Sequence, residues 1–432
     1  MITKKQIEKI EGEAELFLEK KGSTVEFATI CFESFRGFST ILKGKNPLDA
    51  LVYTPRVCGI CGHSHLYATV LALEDAYRNG GLEVKLSQKA KTIREVTLLL
   101  EIVQNHIKWV YFVLMPELNT ATNKPQQNNH LQGAYLASLL SKITALFSGQ
   151  YPHSSYMLPG GITSDITHIE LFKALSMLKE GVLFLEKEFY GIATNELLEF
   201  STCKDFNLLE SPLGNIENQL IQLAMQKKGF GYDRFLTLAE HSFNTPAKIK
   251  KTVRQVANIK YVQTKDSHSP QKKSFALNAL YKDEYIEVGP LARAMSNGYG
   301  VIKNIHRRYK DSTYSRVLAR IYEIPHLLVH IEKLIQSIEI EQTNYNAVDS
   351  AKKLTAKGVG IVEAPRGSLI HSIDIQNGKI ANYSIITPTQ FNLASGEKSF
   401  PSSSQKALAG LKENELSLVF RSFDVCSVCT TH

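Results

Sequence analysis

The chain reads as an α+β protein that is predominantly helical. Four long segments carry apolar residues at helical spacing, Lys85 to Leu114, Leu131 to Phe147, Ile166 to Tyr190 and Thr313 to Ile338, whereas strand-like alternation is confined to short stretches near the two ends and from about 250 to 290. The third observation is a pair of C-x-x-C motifs at opposite ends, Cys58/Cys61 and Cys426/Cys429. At 432 residues the length allows roughly three average domains. Joining the ends at one metal predicts instead a single interleaved domain spanning 1–432.

Taken in order, Ala14-Glu15-Leu16-Phe17-Leu18 alternates, turns at Lys20-Lys21-Gly22 and returns through Val25 to Ile30, which is a hairpin. Phe35 to Pro55 is punctuated by Gly and Pro, so Cys58 and Cys61 lie on a loop. The apolar-periodic run Leu66 to Tyr77 follows, and the pair therefore opens a helix whose N–H groups help stabilise thiolates. Lys85 to Leu114 is the long central helix, with Ile93, Val96, Leu99, Leu100, Val103, Ile107 and Val110 on one stripe, and it is expected to end at Met115-Pro116. Two helices flank the Pro159-Gly160-Gly161 turn, and residues 214–229 make another. Near the C-terminus, Gly360 to Glu363 and Asn382 to Ile386 flank a hairpin that turns at Gln376-Asn377-Gly378-Lys379, and Lys398 to Ser404 is a polar loop.

Composition is ordinary for a globular protein, 43% apolar and 21% charged. The net charge of +8 is spread over short lysine patches such as Lys248, Lys250 and Lys251, which reads as solvated surface and argues against nucleic acid. No run of about eighteen apolar residues is present and the N-terminus lacks a secretory core, so a cytoplasmic chain without direct membrane insertion is expected. A partner subunit could still supply an export signal or membrane anchor. Six cysteines are too few and too unevenly spaced for a disulfide scaffold, which leaves Cys31 and Cys203 as buried thiols.

Four thiolates in two pairs suit a soft or borderline metal: nickel, iron, zinc or copper. By themselves the pairs also allow a structural zinc site, with His65 as a further ligand in C-x-x-C-x-x-x-H. The flanks narrow this. Arg56-x-Cys58-Gly59-x-Cys61-x-x-x-His65 and Asp424-x-Cys426-x-x-Cys429-x-x-His432 stand with Lys9-Ile10-Glu11-Gly12, Phe35-Arg36-Gly37, Pro152-His153, Pro159-Gly160-Gly161, Val288 to Arg293, Glu363-Ala364-Pro365-Arg366-Gly367 and Thr387-Pro388-Thr389. In this order the segments resemble the large subunit of nickel-iron hydrogenases, and they are spread over most of the chain.

The resemblance implies that family's fold, a central bundle of long helices with small peripheral sheets. It also implies reversible heterolysis of dihydrogen, with uptake favoured. Cys58 and Cys426 would be terminal nickel ligands; Cys61 and Cys429 would bridge nickel to an iron carrying one carbon monoxide and two cyanides. Cys426 would take the proton and Glu11 would carry it onward. Arg366 and Thr389 would contact the cyanides, Pro365 and Pro388 would supply apolar lining, Asp424 would pair with the arginine, and His65 would donate a hydrogen bond to a bridging sulfur. His432 would bind a magnesium or other divalent ion.

Three departures from the family pattern stand out: Val425 where proline is usual, Ser39 where the magnesium site has glutamate, and Glu117 in place of aspartate, which reads equally as the other acidic partner of the arginine or as a solvent-exposed helix-end residue. A family precursor carries an extension that maturation proteins remove after the position of His432. With only Cys31 and Cys203 to spare, the chain cannot hold an iron–sulfur relay, so the implied partner is an iron–sulfur small subunit. Two alternatives share this ancestry: a hydrogen sensor with the same site, and a non-catalytic scaffold like the complex I relative, which has lost the cysteines.

Overall fold

The computed structural model describes residues 2–8, 14–32, 35–124, 129–243, 259–262, 274, 276–348 and 353–426. The long helix is its axis. Gln88–Trp109 begins at a Ser87 side-chain cap, buries Ile93, Val96, Leu99, Leu100, Val103 and Ile107, and continues through a wider turn at Val110–Leu114 into Met115–Ala121. The expected stop at Met115-Pro116 is therefore a correction. Pro116 falls in the first turn of the resumed helix, where the missing N–H costs little. The combined Gln88–Ala121 helix is long and apolar enough to cross a membrane, yet most of it is buried within the protein, which marks it as a core helix.

Against it pack His130–Ser148 and Thr313–Gln336, and His168–Leu185, with a π turn to Tyr190, packs on those two. These match the sequence expectation closely. The helix expected at 214–229 is shorter, Pro212–Gln222, because Ala224 turns left-handed and only a short 3-10 turn, Met225–Lys227, follows. The polar loop expected to reach Ser404 ends at Ser402, whose hydroxyl caps a short helix, Ser403–Leu408. Of the strand-rich reading from 250 to 290, the described part contains Ile259–Val262 paired antiparallel with Asn278–Tyr281. The rest of that reading lies outside the described residues or in other structure.

Two three-stranded antiparallel sheets complete the frame. The first orders Ile2–Glu8, Ala14–Lys21 and Thr24–Cys31, its second turn formed at Gly22 with a positive φ. The second is a meander of Ala356–Ala364, Gly367–Gln376 and Lys379–Ile386, with the expected Asn377-Gly378 turn, both residues at positive φ.

This second sheet lies directly on the helix Gly62–Asn79 that follows the first cysteine pair. Ala68, Ala72 and Ala76, four apart on the helix, meet Gly358 and Gly360, two apart on the strand. A Cβ at Gly358 would stand 2.1 Å from the Ala72 carbonyl oxygen, and one at Gly360 would stand 2.0 Å from that of Ala68. Only glycine permits that approach, and it fixes the cysteine helix against the sheet that carries Arg366.

Candidate metal centre

Cys58 lies on the loop after a short 3-10 turn, and Cys61 sits immediately before the first turn of Gly62–Asn79, as the sequence predicts. Other elements grip this loop through its peptide groups. Glu101, from the long helix, accepts from the backbone N–H groups of His63 (2.8 Å) and Ser64 (2.9 Å) and from the Ser64 hydroxyl (2.6 Å). It acts as a helix cap supplied from a neighbouring helix. Burial pushes its carboxyl up to about 7 against those three donors. One turn on, Asn105 donates to the Ile60 carbonyl at 2.6 Å. Arg36 donates to the carbonyls of Val57 and Arg56, and His153 Nδ1 lies 3.1 Å from the Pro55 carbonyl. The Phe35-Arg36-Gly37 and Pro152-His153 segments thus acquire a physical role as clamps on the cysteine loop.

The second cysteine segment arrives after the helix Glu413–Arg421. Cys426 Sγ stands 3.9 Å from Cys58 Sγ, and both are fully buried. That separation is far beyond a disulfide bond. It suits a shared metal, since two sulfurs each about 2.3 Å from one tetrahedral ion lie roughly 3.8 Å apart. Cys61 joins the same buried cluster. Among the described residues no three thiolate, imidazole or carboxylate groups close into a complete metal cage. Cys429, His432 and Glu11 lie outside the described residues.

Asp424 adopts a left-handed backbone (φ 61°) and places its carboxylate between two guanidiniums, 2.6 Å from Arg320 Nη1 and 3.1 Å from Arg366 Nε. Arg320 lies over the Trp109 ring at 4.5 Å. One turn earlier on the same helix, Arg316 holds Glu287 through two bonds of 2.8 Å and covers Phe423 at 3.9 Å. Sequence reasoning missed Arg316 and Arg320. Their signal was present as arginines four apart in an otherwise apolar helix, but which charge they would meet was not.

Arg366 occupies the tip of the two-residue turn between Ala356–Ala364 and Gly367–Gln376. Burial works to lower its guanidinium, but the charges of Asp424, Cys426, Cys61 and Cys58 prevail and hold it well above the ordinary value. It is a fixed cation. Arg293 sets the turn by donating to the carbonyls of Ala364 (2.9 Å) and Pro365 (3.1 Å). Arg293 is itself held by Glu323 through two bonds of 2.7 Å, with Glu363 at 3.4 Å.

Beside the cysteines, a small cavity is lined by Cys61, His65, Ala364, Pro365, Arg366, Leu369, Thr387, Pro388 and Thr389. Arg366 Nη1 and Thr389 Oγ1 are buried there without a hydrogen-bond partner in the protein. Buried polar atoms are rarely left unpaired. Together with the cysteine sulfurs they fit a metal group carrying small anionic ligands. His65 lines the same cavity and bonds through Nδ1 to His371 Nε2 at 3.0 Å.

Of the two readings of Glu117, the structure favours the helix-end one. Glu117 lies 3.5 Å from Arg421 Nε, not on Arg366, because the wide turn at Val110–Leu114 carries it to a partly exposed site, while Asp424 takes both buried arginines. Ser39 lies on the short helix Phe38–Leu42, and its proposed neighbour His432 is not described.

The chain is 24% identical to the periplasmic NiFeSe hydrogenase large subunit of Desulfomicrobium baculatum, over 89% of this chain and 84% of that protein. It is also 24% identical to the sulfhydrogenase 2 subunit alpha of Pyrococcus furiosus, over 98% and 96%. The oxidised NiFeSe hydrogenase structure from D. vulgaris Hildenborough superposes with a TM-score of 0.83 at 21% identity, covering all of both chains, which shows a shared fold. The sequence profile described as nickel-dependent hydrogenase matches residues 36–118 and 192–432. That match covers well over half the chain, and it therefore belongs to the nickel-dependent hydrogenase family as a nickel-iron hydrogenase large subunit, an oxidoreductase.

Proposed function

We propose that this chain is the catalytic subunit of a hydrogenase that splits dihydrogen into two protons and two electrons, in the uptake direction, and passes the electrons to an iron–sulfur small subunit. The observation that carries the reading is the pairing of the Cys58 and Cys426 sulfurs at 3.9 Å beside a cavity into which two unpartnered polar atoms, Arg366 Nη1 and Thr389 Oγ1, are buried. When bound, nickel and iron carrying one carbon monoxide and two cyanides supply an electron-rich, Lewis-acidic pair at which the H–H bond polarises.

The remaining chemistry belongs to the chain. Cys58, Cys61, Cys426 and Cys429 would hold the nickel–iron group as thiolates. The Cys426 thiolate takes the proton and passes it toward Glu11. Arg366 and Thr389 donate to the cyanides, and Pro365 and Pro388 keep water from the iron side. Asp424, 3.1 Å from Nε, pairs with the Arg366 charge, and Nη1 is left for the ligand. A second cleft, lined by Ile60, Trp109, Phe112, Val113 and Val425 together with Asn105, Lys108 and Arg421, reaches Arg366 and Asp424.

Infrared bands from metal-bound carbonyl and cyanide are the expected result for the purified assembly, with nickel present and iron in excess of it because the small subunit's clusters add iron; zinc alone refutes the reading. Cys426→Ser is expected to abolish hydrogen-dependent dye reduction, and retained activity in a fully metallated variant would remove its proton role. Turnover with an artificial acceptor separates an enzyme from a sensor built on the same ligands.

A further inference from the structure

Between the cysteine helix and the second sheet runs a buried polar chain that no step above uses. His65 and Thr69, four apart on Gly62–Asn79, face His371 and Tyr383, which lie diagonally on adjacent strands. All four side chains are essentially without solvent exposure. His65 Nδ1 meets His371 Nε2 at 3.0 Å, His371 Nδ1 meets the Tyr383 hydroxyl at 2.8 Å, and the Tyr383 hydroxyl meets Thr69 Oγ1 at 2.9 Å. Thr69 in turn meets Thr54 Oγ1 at 2.7 Å. Two imidazoles in an apolar helix–sheet interface are costly to bury unless hydrogen-bonded, and apolar side chains would fill the space without that cost.

Resting on the hydrogenase reading, we propose that His371, held by Tyr383, is a positioning residue that fixes His65 as the tautomer whose Nε2–H faces the cysteine sulfurs. A neutral imidazole carries one proton, so the bond made at Nδ1 decides what Nε2 presents. An accepting Nε2 lone pair toward anionic sulfur is repulsive, whereas an N–H is attractive. With the proton on Nε2, the buried Nδ1 is bare and needs a donor, which His371 supplies from Nε2 while accepting from Tyr383 at Nδ1; without that donor the proton would shift to Nδ1 and leave a lone pair facing the sulfurs. Burial raises the Tyr383 phenol, against the effect of its contact with Thr69, and so keeps it a hydroxyl able to donate. The donor order runs from Tyr383 through His371 to His65, while the Thr69 and Thr54 hydroxyls donate to the carbonyls of His65 (2.8 Å) and Ala50 (2.9 Å). Hydrogen bonds aimed at metal-bound sulfur tune its basicity, so the electron density of the centre is set in part from within this helix–sheet interface.

The test uses the assembled protein with its partner and reads infrared bands and the midpoint potential of the nickel alongside metal content. His371→Leu, which cannot donate, is expected to move the carbonyl and cyanide bands to lower wavenumber and the potential to more negative values, because the sulfur becomes a stronger donor. His371→Gln, whose amide N–H can replace the lost donor, is expected to return both toward the wild type. If His371→Leu fails to hold metal, Tyr383→Phe decides the matter. It removes one oxygen remote from the sulfurs and should give a smaller shift of the same sign. Bands and potential unmoved in a metallated His371→Leu, or in Tyr383→Phe, overturn the inference and leave the hydrogenase reading intact. Absence of carbonyl and cyanide bands from the wild type overturns both.

Discussion

The two cysteine segments converge on one place but are held there by different physics. The first, around Cys58 and Cys61, is gripped by its backbone: Arg36, Glu101, Asn105 and His153 bind peptide N–H and carbonyl groups of residues 55–64. The second, around Cys426, is gripped by its side chains, with Phe423 under Arg316 and Asp424 between Arg320 and Arg366. The first is part of the core. The second is a latch, and its attachment depends on charge pairs that must all be satisfied together, since a buried ion left alone is far more costly than a neutral hydrogen bond lost.

Breaking the latch should have the largest effect. Asp424→Ala leaves two buried guanidiniums without their shared carboxylate, and a loss of about 3–5 kcal/mol is expected, read by denaturant unfolding. Nickel content should fall with it. A variant that unfolds at the wild-type midpoint with its nickel retained would make the latch dispensable.

Next in size is a pH effect confined to the first segment. Glu101 has its carboxyl raised to about 7 by burial, so between the unfolded value near 4.5 and about 7 the folded state holds the extra proton. Its contribution to stability is complete below that window and is lost as pH rises through it, a swing of roughly 3 kcal/mol. Glu101→Gln, which cannot ionise, should flatten that part of the stability profile. Arg366, held well above its ordinary value, contributes no slope there. An identical profile in Glu101→Gln and wild type would contradict the distinction.

Asn105→Ala should cost about 1–2 kcal/mol by freeing the Ile60 carbonyl, measured as a shift in thermal midpoint, with the metals retained. Smallest of all, Glu117→Gln removes a partly exposed pair with Arg421 and should change stability by less than about 1 kcal/mol. A large loss of activity in Glu117→Gln would restore it as a partner of the buried arginine pair and blur the contrast between the segments.

How much of this was legible beforehand follows the same divide. Periodicity located the long helices, because each buries its own stripe and needs no knowledge of its neighbours. The Asn377-Gly378 turn was readable for a similar reason, since only those residue types accept two positive φ angles cheaply. The continuation past Pro116 was not, because proline is harmless in a first turn and the resetting wide turn has no sequence signature. At the site, the cysteines, Arg366, Asp424 and His65 were named from motifs. The residues that hold them, Arg293, Arg316, Arg320, Glu101, Asn105 and His371, were not assigned those roles, because each acts across sequence separations that local patterns do not encode.

The sequence by itself determined the donor set and the helices that carry it: soft sulfur ligands at both ends, a cation at a turn, and enough apolar stripe to build a core. Tertiary structure alone decided which charges are shared. Asp424 meets Arg320 and Arg366 instead of Glu117 meeting Arg366, and His65 meets His371, because helix Gly62–Asn79 is pressed against Gly358 and Gly360 and the latch settles where its carboxylate satisfies two buried guanidiniums. Burial turns such choices into large energies, and burial is a property of the packed chain, not of any one residue in it.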